Sequence, residues 1–315
     1  MVRLSVLGTL SLPAGGPIQL LQRDYGQGGN LVSIIAGIHG DEYLGLYVVY
    51  RLIQWLESIE QSTYQLRGRI RIVGCANPLG ALIGERFWPS DFTDINRIFP
   101  GYQAGEASQR IAHWIFDALK PSLLTMDLHN GVAMHELLHV RSYSRETWLQ
   151  RGMSKMGLPV IWYQSFQEPS TRYLEVPGTV EGTLQYCLHQ HGIENIVLCG
   201  GPDLDIKQGS RLFRALLKLL FHLEILHGPP LEDPAPQAEG RQVQSITPVL
   251  SRRAGLFLSQ GRLGEPVKKG SYLGETVDVQ SGQVLDQTFS PVDGVLLSLR
   301  KQPMVGEGML LARIA

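Results

Sequence analysis

The sequence predicts an α/β protein with a mostly parallel, two-sided sheet, followed by a small all-β domain. In the first two-thirds of the chain, short apolar segments alternate with longer segments whose apolar residues recur at helical spacing. Such alternation is typical of parallel sheets covered by helices on both faces. After residue 247 the pattern changes to short apolar runs separated by glycines, which favours a β domain.

The elements of the α/β part follow one another closely. Each predicted strand is a short apolar run, and each predicted helix has its apolar residues on one face. Strands are expected at residues 32–38, 69–74, 123–126, 158–163 and 193–199. Helices are expected at residues 45–59, 106–119, 179–189 and 210–226.

A Pro-rich, acidic segment separates the two parts. Residues 229–236 contain four prolines, a composition typical of a semi-rigid linker. The expected division is a hydrolase-type α/β domain at residues 1–228, a linker at 229–247 and a β domain at 248–315.

Composition excludes several classes of function. The 315 residues are 43% hydrophobic with a net charge of −1, so the chain has a large core and no electrostatic case for binding nucleic acid or an anionic membrane. No apolar run approaches the roughly 20 residues that span a bilayer. The first residues lack a secretion signal, and three cysteines do not form a disulfide framework. We expect a cytoplasmic protein with a small-molecule partner; its oligomeric state is left open.

Two separated segments carry candidate metal ligands. His39 and Glu42 follow the first predicted strand, and His129 follows another after Asp127. A mixed nitrogen and oxygen set of this kind binds catalytic zinc and leaves one position open. Strand ends are also where α/β enzymes place their sites.

Residues between these segments suit a substrate carboxylate. Arg86 and Arg97 offer planar forks for bidentate binding, and Asn96 adds an orienting amide. The alternative is that all three are surface residues of a loop rich in Gly and Pro.

The order of these motifs resembles one family. HGDE at 39–42, NP at 77–78, Arg86, DINRIFPG at 94–101 and DLHN at 127–130 are similar to the aspartoacylase/succinylglutamate desuccinylase family, a branch of the zinc carboxypeptidase-like hydrolases. The resemblance covers residues 37–226, and the last domain resembles the C-terminal barrel of many members. It implies a zinc carboxypeptidase-like mixed sheet flanked by helices, with a small barrel-like β domain.

The resemblance also implies a function. The chain would be a zinc-dependent amidohydrolase that removes the acyl group from an N-acyl amino acid or a similar small amide bearing a carboxylate. It implies zinc ligands His39, Glu42 and His129, with Asp127 accepting a hydrogen bond from a ligand. The residues implied to grip the carboxylate are Arg86, Asn96 and Arg97, and Arg86 would also help to polarise the scissile carbonyl.

The general base departs from the family pattern. Members carry a Glu near the end of a late strand, where this chain has Leu198 or Cys199. Glu175 is the predicted replacement, from a loop that resembles the family's substrate loop. An exposed loop carboxylate is the alternative for Glu175, and Glu181 or Glu194 are further candidates.

Other interpretations stay open. HELLH at 135–139 matches the zincin pattern, which requires a helix to place both histidines on one face. The chain could also be a metal-binding pseudoenzyme without a base, or a metallocarboxypeptidase acting on peptide C-termini. The β domain lacks a lysine at the hairpin tip where a swinging cofactor would attach, so packing, oligomer contacts or a wall over the active site are the roles left for it.

Overall fold

Six α-helices and twenty strands lie in the part of the chain that the computed structural model describes: residues 2–11, 16–131, 133–165, 180–201, 204–231 and 240–315. The helices are α1 (Tyr43–Glu57), α2 (Pro78–Ile83), α3 (Ala107–Leu119), α4 (Thr147–Lys155), α5 (Leu184–Gln190) and α6 (Ile206–His222). The first twelve strands are β1 (Val2–Leu10), β2 (Ile18–Tyr25), β3 (Leu31–Ala36), β4 (Gln65–Leu66), β5 (Arg69–Val73), β6 (Leu124–Asn130), β7 (Met134–Glu136), β8 (His139–Ser142), β9 (Val160–Tyr163), β10 (Glu194–Gly200), β11 (Leu226–His227) and β12 (Arg241–Val243). The last eight are β13 (Thr247–Leu250), β14 (Gly255–Ser259), β15 (Pro266–Val267), β16 (Tyr272–Val277), β17 (Val284–Phe289), β18 (Gly294–Arg300), β19 (Met304–Val305) and β20 (Leu310–Ile314).

The central sheet is mixed and has nine strands in the order β1-β2-β5-β3-β6-β10-β8-β9-β12. Its middle strands β5, β3, β6 and β10 are parallel, as predicted. An antiparallel hairpin, β1–β2, extends one side, and β8 runs antiparallel to β10 on the other. The predicted α/β class, with a mixed sheet and a C-terminal β part, is confirmed.

Helices cover both faces of this sheet. Strand side chains alternate between the faces, so that Ile34 packs under α1, α4 and α6 while its neighbour Ile35 packs under α3 and α5. The helix α6 begins at Asp205, whose carboxylate accepts hydrogen bonds from the backbone N–H groups of Lys207 and Gln208. The two cores fix the central strands, and thereby the edge at which their carboxyl ends meet.

The C-terminal β part has its own core and is joined to the central sheet's domain by strand pairing. β13, β20, β18 and β15 form one sheet, and β17, β16, β14 and β19 form another. β7 adds to the first sheet by pairing with β18, which places Glu136 opposite Ser298.

The predicted linker contains a strand. Residues 241–243 form β12, which pairs in parallel with β9 at the edge of the central sheet. Residues 232–239 lie outside the described part of the chain. The division at residues 228 and 248 stays a prediction.

The zincin interpretation of HELLH is wrong. His135 and Glu136 end β7, and His139 begins β8, so the segment is extended and not helical. Its side chains diverge, because His135 is exposed whereas Glu136 and His139 are buried. Within the described ranges, no helix is both long and apolar enough to cross a membrane.

Candidate metal centre and active-site cleft

The predicted ligand residues lie at the carboxyl ends of β3 and β6. After β3, the loop passes Gly40, where a Cβ atom would lie 2.1 Å from the backbone of Gly80, so only glycine permits this approach. His39 precedes that point, and Glu42 lies at the N-terminus of α1. His129 is part of β6. The fold therefore brings both motifs to one edge of the sheet.

His39, Glu42 and His129 form a buried cluster whose donor atoms all lie within 4.8 Å of one another. The Nδ1 atoms of His39 and His129 each lie 2.8 Å from a different oxygen of Glu42. The two rings thus direct the same nitrogen at the centre of the cluster. Two imidazole nitrogens and a carboxylate can hold a metal ion with a position left open.

The outer nitrogens of both histidines have carboxylate partners. Nε2 of His129 lies 2.8 Å from Asp127, and Nε2 of His39 lies 3.1 Å from Asp94. Gln185 of α5 also donates to Asp127. Donation of the outer N–H to a carboxylate fixes ring orientation and tautomer, as for metal-bound histidines. The predicted hydrogen bond to Asp127 is present, and the role of Asp94 is one that sequence reasoning missed.

Charge coupling within the cluster is strong. Burial alone would raise the pKa of Glu42, but the charges of His129 and His39 hold that pKa well below its usual range. Burial would lower the pKa of His129, but Asp127 and Glu42 raise it to about 10. A cation held by these residues would therefore displace the proton of His129.

Arg86, Asn96 and Arg97 line the same cleft as the metal cluster. Arg86 donates through Nε and Nη2 to Asp94 at 3.2 and 3.0 Å, and its Nη1 lies 3.8 Å from Glu42. The Asn96 side-chain oxygen accepts from the backbone N–H of Leu184, so it anchors the start of α5. The structure thus brings the predicted substrate residues to the metal cluster, with Asn96 already engaged in the fold.

Leu198 and Cys199, at the end of β10, are the two residues that could stand where the resembled family carries its Glu. Cys199 lies opposite His129 in the parallel pairing with β6 and lines the cleft, whereas Leu198 points to the other face and packs in the core. Burial raises the pKa of the Cys199 thiol to about 12. Cys199 is therefore a neutral thiol and cannot act as a base near neutral pH.

Of the other candidate bases, Glu175 lies outside the described residues. Glu194 begins β10, about 17 Å from Cys199 at about 3.3 Å per residue, so it is too far from the cleft. Glu181 is exposed and precedes α5.

The far wall of the cleft contains residues that sequence analysis did not assign to it. The cleft has a volume of about 420 Å³. Glu136 and Arg141 reach it from β7 and β8, and the C-terminal β part adds Leu297, Gln302 and Arg313. The buried Glu136 accepts a hydrogen bond from Arg313 at 2.5 Å. A role for the β part as a wall of the cleft, left open by the sequence, is supported by this lining.

Comparisons with known proteins agree with this fold. The model of the succinylglutamate desuccinylase/aspartoacylase catalytic domain matches residues 28–197. A curated relative, the N-alpha-acetyl-L-2,4-diaminobutyric acid deacetylase of Halomonas elongata, is 25% identical over 310 residues, covering 95% of this chain and 85% of its own.

Two solved structures share the fold over nearly the whole chain. A succinylglutamate desuccinylase/aspartoacylase from Rhodobacter sphaeroides superposes with a TM-score of 0.82 at 21% identity, covering 99% of this chain and 95% of its own. The product-bound ectoine utilization protein EutE (DoeB) from Ruegeria pomeroyi gives 0.82 at 20% identity, covering 99% and 94%.

The fold and the comparisons therefore define an amide hydrolase with a mixed α/β sheet. The chain belongs to the succinylglutamate desuccinylase/aspartoacylase family. The prediction that it is an amide-hydrolysing enzyme is confirmed at that level.

Proposed function

We propose that the protein is a zinc-dependent amidohydrolase that removes the acyl group from an N-acyl amino acid or a similar small amide bearing a carboxylate. The observation that carries the proposal is the buried cluster of His39, Glu42 and His129, in one cleft with Arg86 and Arg97. The name of the curated relative, a deacetylase for an acetylated amino acid, supports this substrate class. A cytoplasmic location is part of the same proposal.

The donor set fits zinc. His39 and His129 offer Nδ1, Glu42 offers a carboxylate oxygen, and both outer ring nitrogens are held by carboxylates. Zinc held by these three residues would supply a Lewis acid for the amide carbonyl and would lower the pKa of a water molecule.

The arginines bind and orient the substrate. The forked guanidinium groups of Arg86 and Arg97 match a carboxylate, and their positive charge stabilises the oxyanion of a tetrahedral intermediate. Asp94 holds Arg86 and His39 together, because one oxygen contacts each residue. A movement of Arg86, which would bind the substrate carboxylate, is therefore coupled to the orientation of His39, a candidate metal ligand.

The test is metal analysis of the purified protein combined with a substrate panel. We expect about one zinc per chain and hydrolysis of N-acyl amino acids. Replacing the substrate carboxylate with a carboxamide should lower kcat/KM by about 10- to 100-fold, since a charge-assisted pair contributes about 1.5–3 kcal/mol.

Two outcomes would favour the alternatives. Release of C-terminal residues from short peptides, with no cleavage of N-acyl amino acids, would indicate a metallocarboxypeptidase. Zinc and substrate binding without turnover of any amide would indicate a pseudoenzyme.

A further inference from the structure

Amide hydrolysis needs a group that accepts a proton from the attacking water and passes it to the leaving amine. The cleft strand β10 offers no carboxylate at this point, because Cys199 is the residue of its carboxyl end that lines the cleft. Among the described residues outside the metal cluster, the carboxylates that line the cleft are Asp41 and Glu136. Asp41 precedes the candidate ligand Glu42 directly in the sequence, whereas Glu136 lines the cleft from β7.

Glu136 is buried and close to the metal cluster's own strand. It is 7% exposed. A Cβ atom on Gly131, two residues after His129, would lie 3.0 Å from Glu136 Oε2, so the carboxylate lies against the backbone that leaves β6. The negative charge of Glu136 also acts on Cys199, which lies beside His129 in the sheet. Glu136 therefore lies beside the end of β6 and lines the same cleft as Cys199.

The position of Glu136 is fixed from the C-terminal β part. Its backbone pairs with Ser298 through the β7–β18 ladder. Its Oε1 accepts a hydrogen bond from Nη1 of Arg313, which lies on β20, 177 residues away in sequence. A carboxylate held by both a strand and a guanidinium group is preorganised, as proton transfer requires.

We propose that Glu136 is the catalytic proton acceptor of this enzyme and that Arg313 is its positioning residue. The inference rests on the proposed amidohydrolase function. A water O–H bond breaks as its oxygen bonds to the scissile carbonyl carbon, and the proton moves to Glu136. The C–N bond then breaks as Glu136 returns that proton to the amine nitrogen, which gives a carboxylic acid and an amine. The acid's remaining proton passes to the amine, so the products are a carboxylate and an ammonium group.

The main test is Glu136→Gln, measured with a substrate that the wild-type protein hydrolyses. We expect kcat to fall by about 10²- to 10⁴-fold. The zinc content of the variant should be nearly unchanged, and so should its Kd for the intact substrate, measured by calorimetry. Added formate should restore part of the rate to Glu136→Ala, because a small carboxylate can enter the vacated space. Asp286→Asn is the matched control, since it breaks another carboxylate–arginine pair, with Arg252, on an exposed side of the β part.

Arg313 has a separate test. Arg313→Met should lower kcat and displace the acidic limb of the kcat/KM profile, while Arg313→Lys restores part of both. A structural role alone would change the melting temperature but leave the pH profile of the folded enzyme in place.

Several results would overturn the inference. One is a Glu136→Gln enzyme with normal kcat and a raised KM, which would make Glu136 a substrate-recognition residue. Another is a large fall in kcat in Asp41→Asn or Glu175→Gln, together with a normal kcat in Glu136→Gln. If Glu136→Gln does not fold, absence of formate rescue in a folded Glu136→Ala protein would also contradict the role of Glu136. Absence of wild-type turnover on every amide would instead refute the proposed function.

Discussion

On the side of β3 and β6, the cleft is formed by two short motifs, whereas on the side of β10 it is formed by segments that are far apart in sequence. The first side holds His39, Glu42 and His129 with their carboxylate partners. The second holds Cys199 of β10, Glu136 of β7 and Arg313 of β20. On the first side, the residue types are restricted, because few side chains can bind a metal ion. On the second side, the carboxylate comes from β7 and not from β10.

The largest effect should follow from breaking the metal side. Glu42→Gln removes the charge between two histidines, so we expect loss of bound zinc and a fall in activity of at least about 10³-fold. Metal analysis by mass spectrometry and turnover of an N-acyl amino acid measure both.

The exposed His135 provides the control for this variant, since it belongs to the HELLH segment but lies away from the cluster. His135→Ala should retain zinc and activity. Retention of full zinc by Glu42→Gln would contradict the assignment of the cluster.

A smaller effect should follow from loosening the metal side without removing a ligand. Asp94→Asn weakens the partner of His39 and the hold on Arg86, so we expect zinc affinity to fall by about 10- to 100-fold. Competition with a chelator of known affinity measures the change. Asp117→Asn on the exposed face of α3 is the control, and equal affinities in both variants would remove Asp94 from the metal site.

The last effect concerns the free energy of unfolding, and it involves the other side of the cleft. Burial and the nearby Arg141 and Arg313 lower the pKa of His139 to about 4, although Glu136 opposes them. The unfolded chain has the ordinary value of about 6.5, so the unfolded state binds the proton more readily between these values. The contribution of His139 to the free energy of unfolding is therefore fully present above pH 6.5. It is lost as the pH drops toward 4, and the loss is about 3 kcal/mol at most.

The variant His139→Asn should remove most of this acid sensitivity. Urea unfolding of metal-free protein at pH 4.5 and 7 measures it, with His135→Asn as the exposed control. His129 does not interfere, because its raised pKa of about 10 changes stability only as the pH rises above 6.5. An unchanged pH slope in His139→Asn would show that other groups cause the acid sensitivity.

Much of the metal side could be predicted because local chemistry constrains it. Zinc accepts only a few kinds of donor atom, and α/β enzymes place their sites at the ends of strands. The sequence therefore indicates His39, Glu42 and His129, even though His129 is far from the other two in the chain. Asp94 is the first residue of the DINRIFPG motif, but the sequence does not indicate its role. A carboxylate that orients a histidine needs only to be near it in space, which no local pattern records. The HELLH segment matches the zincin pattern in its residue types alone, because it is extended and its first part pairs with β18.

The sequence by itself determined the α/β alternation and the chemical types of the metal cluster, because apolar period and ligand chemistry are written locally. The tertiary structure alone decided that Cys199 and not Leu198 faces the cleft, because a strand reverses its faces with each residue. It also decided that Glu136 reaches the cleft, because the pairing of β7 with β18 and the contact with Arg313 join residues that no local pattern connects.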